Sequence, residues 1–374
     1  MKAPPHWRGG NKGLFVQTLT IVQSIMHAEC SQGSRCDHLS IPSNINHNRT
    51  IKMLVLGLQG SPRIKGNTSY LLSSFLESAA NLGARTKMVE VDKQNIVACK
   101  EYVVCEKKGF CPIDDDMKQE VYSLIREAEV VVLATPIFFY NMTAQLKALV
   151  DRCQVFWALK YRFKLKDPCR EQRKGFLLSV GATRGKNLFE GLDLTARYFF
   201  DAIDAEYCGS LTYKGIEHAG DMEKHSSMKD EVKNAAGEIL KPLVARKKVL
   251  FVCEDNSCIS QMAEAFAQVM AGGKLDVSSG GVKPAEKMDS HMIKAMKEKK
   301  IDIKFRSPKS TQWAVLEHQP DIVVYLEKNG IAPPVSGAGL KQWDIEKPKE
   351  YSMETVRQLR DEIEKKVAVF VESI

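Results

Sequence analysis

The stretch Met53–Leu82, MLVLGLQGSPRIKGNTSYLLSSFLESAANL, constrains the chain more than any other. MLVLGL is a continuous apolar run of strand length, the pattern of a parallel strand covered on both faces. QGSPRIKGNTS follows as a polar loop, and a helical period then sets Leu71, Leu72, Phe75, Leu76, Ala79 and Leu82 on one face. A strand that runs through such a loop into a helix N-terminus offers unpaired backbone N–H groups and the positive dipole end to an anion. Ser61, Asn67, Thr68 and Ser69 add side-chain donors around Gly66, and Arg63 adds a cation. The stretch reads as a phosphate cradle, against the plain alternative of an ordinary strand–turn–helix connection.

Two phosphate loops are excluded. No Lys follows Gly66, so the nucleoside triphosphatase pattern G-x-x-x-x-G-K-[ST] is absent. Gly57 and Gly60 stand three apart, so the dinucleotide fingerprint G-x-G-x-x-G is absent too. GSPRIKGNTSYLL resembles instead the G-S-P-R-x-x-G-N-T/S loop of the flavodoxin-like NADPH-dependent FMN reductases and iron–sulfur flavoproteins. The resemblance runs from about Met53 to Leu240. It implies an α/β fold with a flavodoxin-like doubly wound parallel sheet. It also implies FMN with its phosphate on Ser61, Arg63, Gly66, Asn67, Thr68 and Ser69, NAD(P)H as electron donor, and a homodimer.

Downstream, RTKMVEV alternates as a second strand (85–91), and Asp114–Ala128 has helical spacing with acidic residues in its first turn. Between them lie Cys99, Cys105 and Cys111. Three nearby thiolates could serve zinc or an iron–sulfur cluster, each of which takes four ligands as a rule. The resembling family shows C-x2-C-x2-C-x5-C here, and this chain has Tyr102 in the second place. A complete cluster therefore lacks a ligand, and a cysteine-bearing loop beside the cofactor is the reading adopted, with no metal assigned. EVVVLAT is a further buried strand, and PIFFYN follows it where a loop would normally be polar. Loops at the carboxyl ends of parallel strands line the ligand crevice of α/β proteins. Packing under a neighbouring loop or in a dimer interface would also explain Phe138 and Phe139. The run from Thr135 through Pro136, Ile137, Phe138, Phe139, Tyr140 and Asn141 resembles the family's second flavin loop, which implies contact with the isoalloxazine. A fourth strand, GFLLSV, leads to Gly181 and Gly185, where small residues permit close approach to a ring. A helix over Phe189–Ala202, the strand EYCGSLTYKG and a final amphipathic helix complete the alternation.

At 374 residues the chain suits two domains, because single cores rarely grow past roughly 250–300 residues. Residues 1–50 read as an extension outside the fold, 51–243 as the flavodoxin-like domain and 247–374 as a second, smaller α/β domain, with ARKK (245–248) as linker. In the extension, Gln17, Thr18, Thr20 and Gln23 interrupt an apolar run that imitates a signal peptide. In the resembling family the first strand sits almost at the N-terminus, which implies Met53 as a plausible natural beginning. The formal charge of +8 is modest and spread out, which favours an anionic cofactor without pointing to nucleic acid. Ten dispersed cysteines lack the density of a disulfide scaffold, so a reducing, cytoplasmic setting is expected. No apolar run approaches the eighteen or so residues of a membrane span, and no membrane partner is expected.

VLFVCEDNSCISQMAEAFAQVMA opens the second domain as another strand, loop and helix. Cys253 at the strand's end faces a helix N-terminus, a setting that lowers a thiol pKa. Residues 247–374 resemble low-molecular-weight tyrosine phosphatases and the arsenate reductases built on that fold, through F-V-C-x-x-N-x-C-R-S-x-M-A-E-A. The departures are large. The anion loop C-x5-R has Ile259 in place of the arginine, which removes the bidentate clamp on the oxyanion. Lys347 stands before Pro348 where the general acid belongs, and no cysteine follows Cys258 to continue a disulfide relay. Phosphatase or arsenate reductase activity is therefore not expected. Cys253 and Cys258 remain as a thiol pair that could be redox-active, bind a thiophilic ion or simply pack.

Two functions stay open. One is an FMN-dependent NAD(P)H oxidoreductase passing electrons to a flavin, quinone, metal oxyanion or redox protein, with the flavin carrying the chemistry. The other is a flavin-binding redox sensor whose phosphatase-like domain docks a partner or binds a thiophilic ion.

Overall fold

The computed structural model describes residues 53–374 apart from 64, 171, 328–334, 336 and 349. The readings of residues 1–50 as an extension, and of Met53 as the natural beginning after it, concern a segment that lies outside the described residues. Among the described residues no helix is long and apolar enough to cross a membrane.

Strands β1 (Leu54–Gln59), β2 (Arg85–Glu90), β3 (Val130–Pro136), β4 (Lys174–Gly181) and β5 (Glu206–Lys214) form a sheet of order β2-β1-β3-β4-β5. Every pairing is parallel. The central strands β1, β3 and β4 are buried along almost their whole length, which is why they read as unbroken apolar runs. The outer strands β2 and β5 alternate in exposure. Helix α1 (Asn67–Asn81) buries Leu71, Leu72, Phe75, Leu76 and Ala79 against the sheet. Phe75 stacks on Phe176 of β4 with ring centroids 5.5 Å apart. The chain order reverses between β1 and β3, the switch point at which open α/β sheets bind ligands.

On the way to the crevice, a short helix α2 (Val104–Lys108) carries Cys105, and a widened turn at Met117–Val121 leads into α3 (Tyr122–Glu127). The helix expected over Asp114–Ala128 thus opens on Asp115, whose carbonyl accepts from Gln119 N–H at 3.0 Å. Its carboxylate receives both Arg152 Nη1 (2.6 Å) and Nη2 (3.1 Å) and the N–H of Val97 (2.9 Å). Arg152 ends α4 (Ala144–Arg152) and also donates to Val97 O at 2.7 Å, so one buried ion pair staples the cysteine loop to the sheet's flank. Helices α5 (Gln154–Trp157), α6 (Glu190–Ala202) and α7 (Met228–Val244) complete this half.

The second sheet follows with the order β7-β6-β8-β9, also parallel, from β6 (Lys247–Cys253), β7 (Leu275–Gly281), β8 (Ile322–Glu327) and β9 (Gly339–Ile345). Helix α8 (Ile259–Ala271) is covered along nearly its whole length, α9 (Ser290–Glu298) and α10 (Thr311–His318) follow, and α11 (Met353–Glu372) is closed by a Ser352–Thr355 capping box.

The two sheets belong to one compact unit, and the segment expected to be a linker is part of their seam. Helix α7 runs through Pro242 to Val244, and β6 begins at Lys247. Arg246 is buried, with Nη2 on both carboxylate oxygens of Glu129 (2.9 and 2.8 Å) and Nη1 on Gly272 O (3.0 Å). Further along, Arg126 Nη1 meets Asp302 Oδ2 at 2.7 Å, and Lys166 lies beside Ile301, its N–H donating to Lys300 O (2.6 Å) and its carbonyl accepting from Asp302 N–H (3.0 Å).

The Arg152–Asp115 pair yields a stability prediction. Arg152→Leu should cost about 3–5 kcal/mol in urea unfolding, because Asp115 is left charged and buried. Arg152→Leu with Asp115→Leu should recover most of it. Burial alone would raise the Asp115 pKa, but the Arg152 guanidinium and the Val97 N–H hold it below the ordinary 3.8. The pair's contribution is therefore whole above pH 3.8 and lost as pH falls through the lower, folded value. A loss of stability confined to higher pH would contradict it.

Candidate functional site

Gly60 bolts the first loop to the sheet. Its N–H donates to Ala134 O at 2.7 Å and its carbonyl accepts from Thr143 Oγ1 at 2.6 Å. A Cβ here would lie 2.6 Å from Leu146 Cδ2 and 3.1 Å from Ala134 O, so only glycine fits. The loop then folds tightly: Arg63 N–H donates to Ser61 Oγ (3.2 Å) and Gly66 N–H to Arg63 O (3.1 Å). The first helical bond of α1 is Tyr70 N–H to Gly66 O, and Gly66 brings no capping side chain. Helix geometry therefore leaves the amides of Asn67, Thr68 and Ser69 without helical acceptors, beside the exposed side chains of Arg63 and Lys65.

The second loop is a two-residue turn. Phe138 and Asn141 exchange backbone hydrogen bonds (2.8 and 3.0 Å), with Phe139 at φ 49° and Tyr140 at φ 62° between them. Both are in the left-handed region that Asn and Gly normally supply in such turns. Phe139 is 100% exposed.

These loops meet at a cleft of about 480 Å³. Ser61, Arg63, Lys65, Gly66, Asn67 and Thr68 form one end, and Pro136, Ile137 and Phe138 form a wall. The third loop contributes Val180 and Ala182, the neighbours of Gly181, whereas Gly181 and Gly185 do not line the cleft. Gly185 O instead accepts from Lys214 Nζ at 2.9 Å. Thr135 is buried behind the wall, where its carbonyl accepts from Ser179 Oγ (2.8 Å). Phe139, Tyr140, Asn141 and Ser69 are outside the lining, and Asn141 Nδ2 reaches Thr195 Oγ1 at 3.0 Å. Nothing in the sequence singled out Ile216, Glu217 and Ala219, which complete the cleft after β5. The available signal was positional, a Gly-containing loop at the end of a fourth crevice strand. Asn67 ties that loop to α1, with Nδ2 on His218 O (2.8 Å) and Oδ1 accepting from Met222 N–H (3.1 Å). Its side chain thus positions the cradle, and its backbone amide is what remains for an anion. Free amides and cations at one end and an apolar wall at the other fit a phosphate-tailed flat ring. The volume lies within the range of roughly 300–1,000 Å³ found for ligand clefts.

The cysteine loop behaves differently. Cys99 is exposed, and Cys105 and Cys111 are half-buried. Burial pushes the Cys105 thiol up, and the neighbouring Cys111 and Cys99 push the same way. Among the described residues no group of three or more His, Cys, Asp or Glu side chains is placed to hold a metal ion. With Tyr102, 61% exposed, standing in the second cysteine place, the three thiols leave an iron–sulfur cluster one ligand short.

In the second half the loop after β6 is filled by its own side chains. Asn256 is fully buried: Nδ2 donates to Ser260 Oγ and Ser279 Oγ (both 2.8 Å), and Oδ1 accepts from Gln261 Nε2 (3.0 Å) and Lys309 N–H (2.9 Å). All four of its hydrogen-bonding positions are used. Its N–H donates to Cys253 Sγ (3.1 Å), which also lies 2.9 Å from Ser260 Oγ. Lys347 Nζ pairs with Glu254 (2.9 Å) and Asp255 (3.2 Å). The thiol is not activated as the helix N-terminus suggested. Burial pushes Cys253 up to about 11, outweighing the hydrogen bonds from Ser260 and Asn256, and burial raises Cys258 as well.

The sequence model of the NADPH-dependent FMN reductase family matches residues 53–189, and that of the low molecular weight phosphotyrosine protein phosphatase family matches residues 248–374. The first half is similar to the FMN reductases, and the second half belongs with the arsenate reductases of the low molecular weight phosphatase family. An iron-sulfur flavoprotein of Methanocaldococcus jannaschii is 33% identical over 132 residues, 35% of this chain and 64% of that protein. The chain thus spans a little under two thirds of that relative's length. A glutaredoxin arsenate reductase of Synechocystis sp. is 33% identical over 131 residues, 34% of this chain and 98% of that protein. A crystal structure of arsenate reductase from Archaeoglobus fulgidus, 30% identical, covers 33% of this chain and 98% of its own, with a TM-score of 0.31.

For the phosphatase-family half the raised thiol gives a direct test. Alkylation of Cys253 by iodoacetamide, followed by peptide mass spectrometry, should rise about tenfold per pH unit from pH 7 to 10. A plateau below pH 8 would reveal a low-pKa nucleophile instead.

Proposed function

We propose that the chain is an FMN-dependent NAD(P)H oxidoreductase. The observation that carries this reading is the meeting of the anion-ready start of α1 and the Pro136–Phe138 wall in one cleft at the sheet's switch point. The family match of residues 53–189 supports it. When bound, FMN supplies hydride and electron transfer. The chain supplies grip and orientation. The amides of Asn67 and Thr68, the Ser61 hydroxyl and the Arg63 guanidinium would hold the phosphate, and Pro136, Ile137 and Phe138 would exclude water from one side of the ring. The electrons would pass to a flavin, quinone, metal oxyanion or redox protein, in a cytoplasmic, reducing setting.

The test is an anaerobic absorption spectrum of the FMN-reconstituted protein before and after NADPH. A flavin spectrum that bleaches and returns in air is expected, and a chain that takes up no FMN would defeat the reading. Arg63→Ala should weaken FMN binding about tenfold by removing a charge-assisted contact. Asn67→Ala should weaken it too, by freeing the loop at His218.

For the second half, we infer that it hydrolyses no phosphate ester and reduces no arsenate, since Ile259 and Lys347 replace the clamp and the acid and Cys253 is held as a thiol. One observation favours the sensor alternative for this half: Lys347 pairs with Glu254 and Asp255, so the loop after Cys253 is closed by a side chain of the same half. Slow turnover with tight FMN would select it.

Self-association is part of the proposal. Phe139, Tyr140, Leu194 and Tyr198 are exposed on the neighbouring second loop and α6, which Asn141 joins. Sedimentation should show a dimer that Phe139→Ser weakens; a monomer at high concentration would refute it.

A further inference from the structure

The seam between the sheets contains a second cavity, of about 360 Å³, that plays no part in the flavin cleft. Arg85 and Arg126 line it from the first half, and Gln261, Phe305, Arg306 and Trp313 from the second. Three features define what it could hold.

Gln261 is 1% exposed and its amide is oriented by its own bonds, since Nε2 donates to Asn256 Oδ1 (3.0 Å) and Ser307 O (3.3 Å). That leaves Oε1 as a buried acceptor without a partner. Buried acceptors are seldom left unmet, so an N–H or O–H donor is called for. Two guanidinium groups supply the second feature. Arg306 lies 3.8 Å from Glu264 and donates to Gln268 and to Gln261 O, while Arg85 has no ion-pair partner among the described residues. Glu127 and Glu317 also border the cavity, and the charge of Arg126 is met by Asp167 and Asp302. The third feature is a flat surface: the Phe305 ring has the Arg126 guanidinium 4.0 Å from its centroid and that of Arg306 at 6.0 Å, and Trp313 is 44% exposed.

We propose that this cavity binds a mononucleotide. Its phosphate would lie between Arg85 and Arg306, where planar guanidinium groups match phosphate oxygens. A ribose hydroxyl or base amino group would donate to Gln261 Oε1, and the base would lie against Trp313 and Phe305. Inorganic phosphate answers only the arginines, and a nucleoside answers only the acceptor and the rings. The other end of the Gln261 amide holds Asn256, whose N–H holds Cys253 Sγ. An occupant is therefore two hydrogen-bonded residues from the thiol.

The probe is AMP, titrated by calorimetry onto the full chain carrying one equivalent of FMN and freed of excess, so that the cradle of α1 is already filled. One site per chain is expected, with inorganic phosphate and adenosine each binding at least about tenfold more weakly. Arg85→Gln should weaken AMP about tenfold, and this exposed residue can change without disturbing the fold. Gln261→Leu should weaken it as well, and AMP should slow Cys253 alkylation in the unaltered chain. Absence of binding, binding that Arg85→Gln leaves unchanged, or inorganic phosphate binding as tightly as AMP would each overturn the proposal. None of these outcomes depends on whether the first half turns over NADPH.

Discussion

A strand that ends against the start of a helix leaves several amide hydrogens with no acceptor, and both halves of this chain are built on that imbalance. The first half leaves it open. Gly66 offers no cap, Asn67 turns its side chain toward His218 and Met222, and Arg63 and Lys65 raise the local positive charge. The second half resolves the same geometry internally. Asn256, Ser260 and Ser279 share their hydrogen bonds around Cys253, and acidic Glu254 and Asp255 are matched by Lys347 rather than by a ligand. One architecture thus gives an anion cradle in one place and a neutral, packed loop in the other.

The parts visible in the sequence were those with a local signature. The unbroken apolar runs of β1, β3 and β4 announce burial on both faces, and their order places the loops at 61–69, 135–141 and 181–185 on one edge. What escaped had no such signature. The ARKK segment looked like a linker because its charges suggest solvent, yet Arg246 is enclosed by Glu129 and Gly272, partners far away in sequence. The cleft residues after β5 sit in an unremarkable polar loop. The thiol of Cys253 went the other way from its expected direction because burial is a tertiary property, and here it outweighs two favourable hydrogen bonds.

The aromatic turn at Phe138–Asn141 carries a local conflict. Two bulky residues occupy left-handed backbone positions while remaining largely in water, a choice that neither backbone preference nor burial explains. Asn and Gly would satisfy the turn more easily. The dimer proposed above would give Phe139 and Tyr140 a use that the fold of a single chain does not.

The seam changes what the word domain means for this molecule. Arg126 is shared with Asp302, Arg246 with Glu129, and the strand-like segment at Lys166 with Ile301. Cutting the chain at residue 245 would break every one of these pairs. The first would keep Arg126 on Asp167 but lose Asp302 and Arg246 from its edge, and the second would expose both of those residues. The fusion is closer to a dovetail joint than to beads on a string, and each half serves as part of the other's interior.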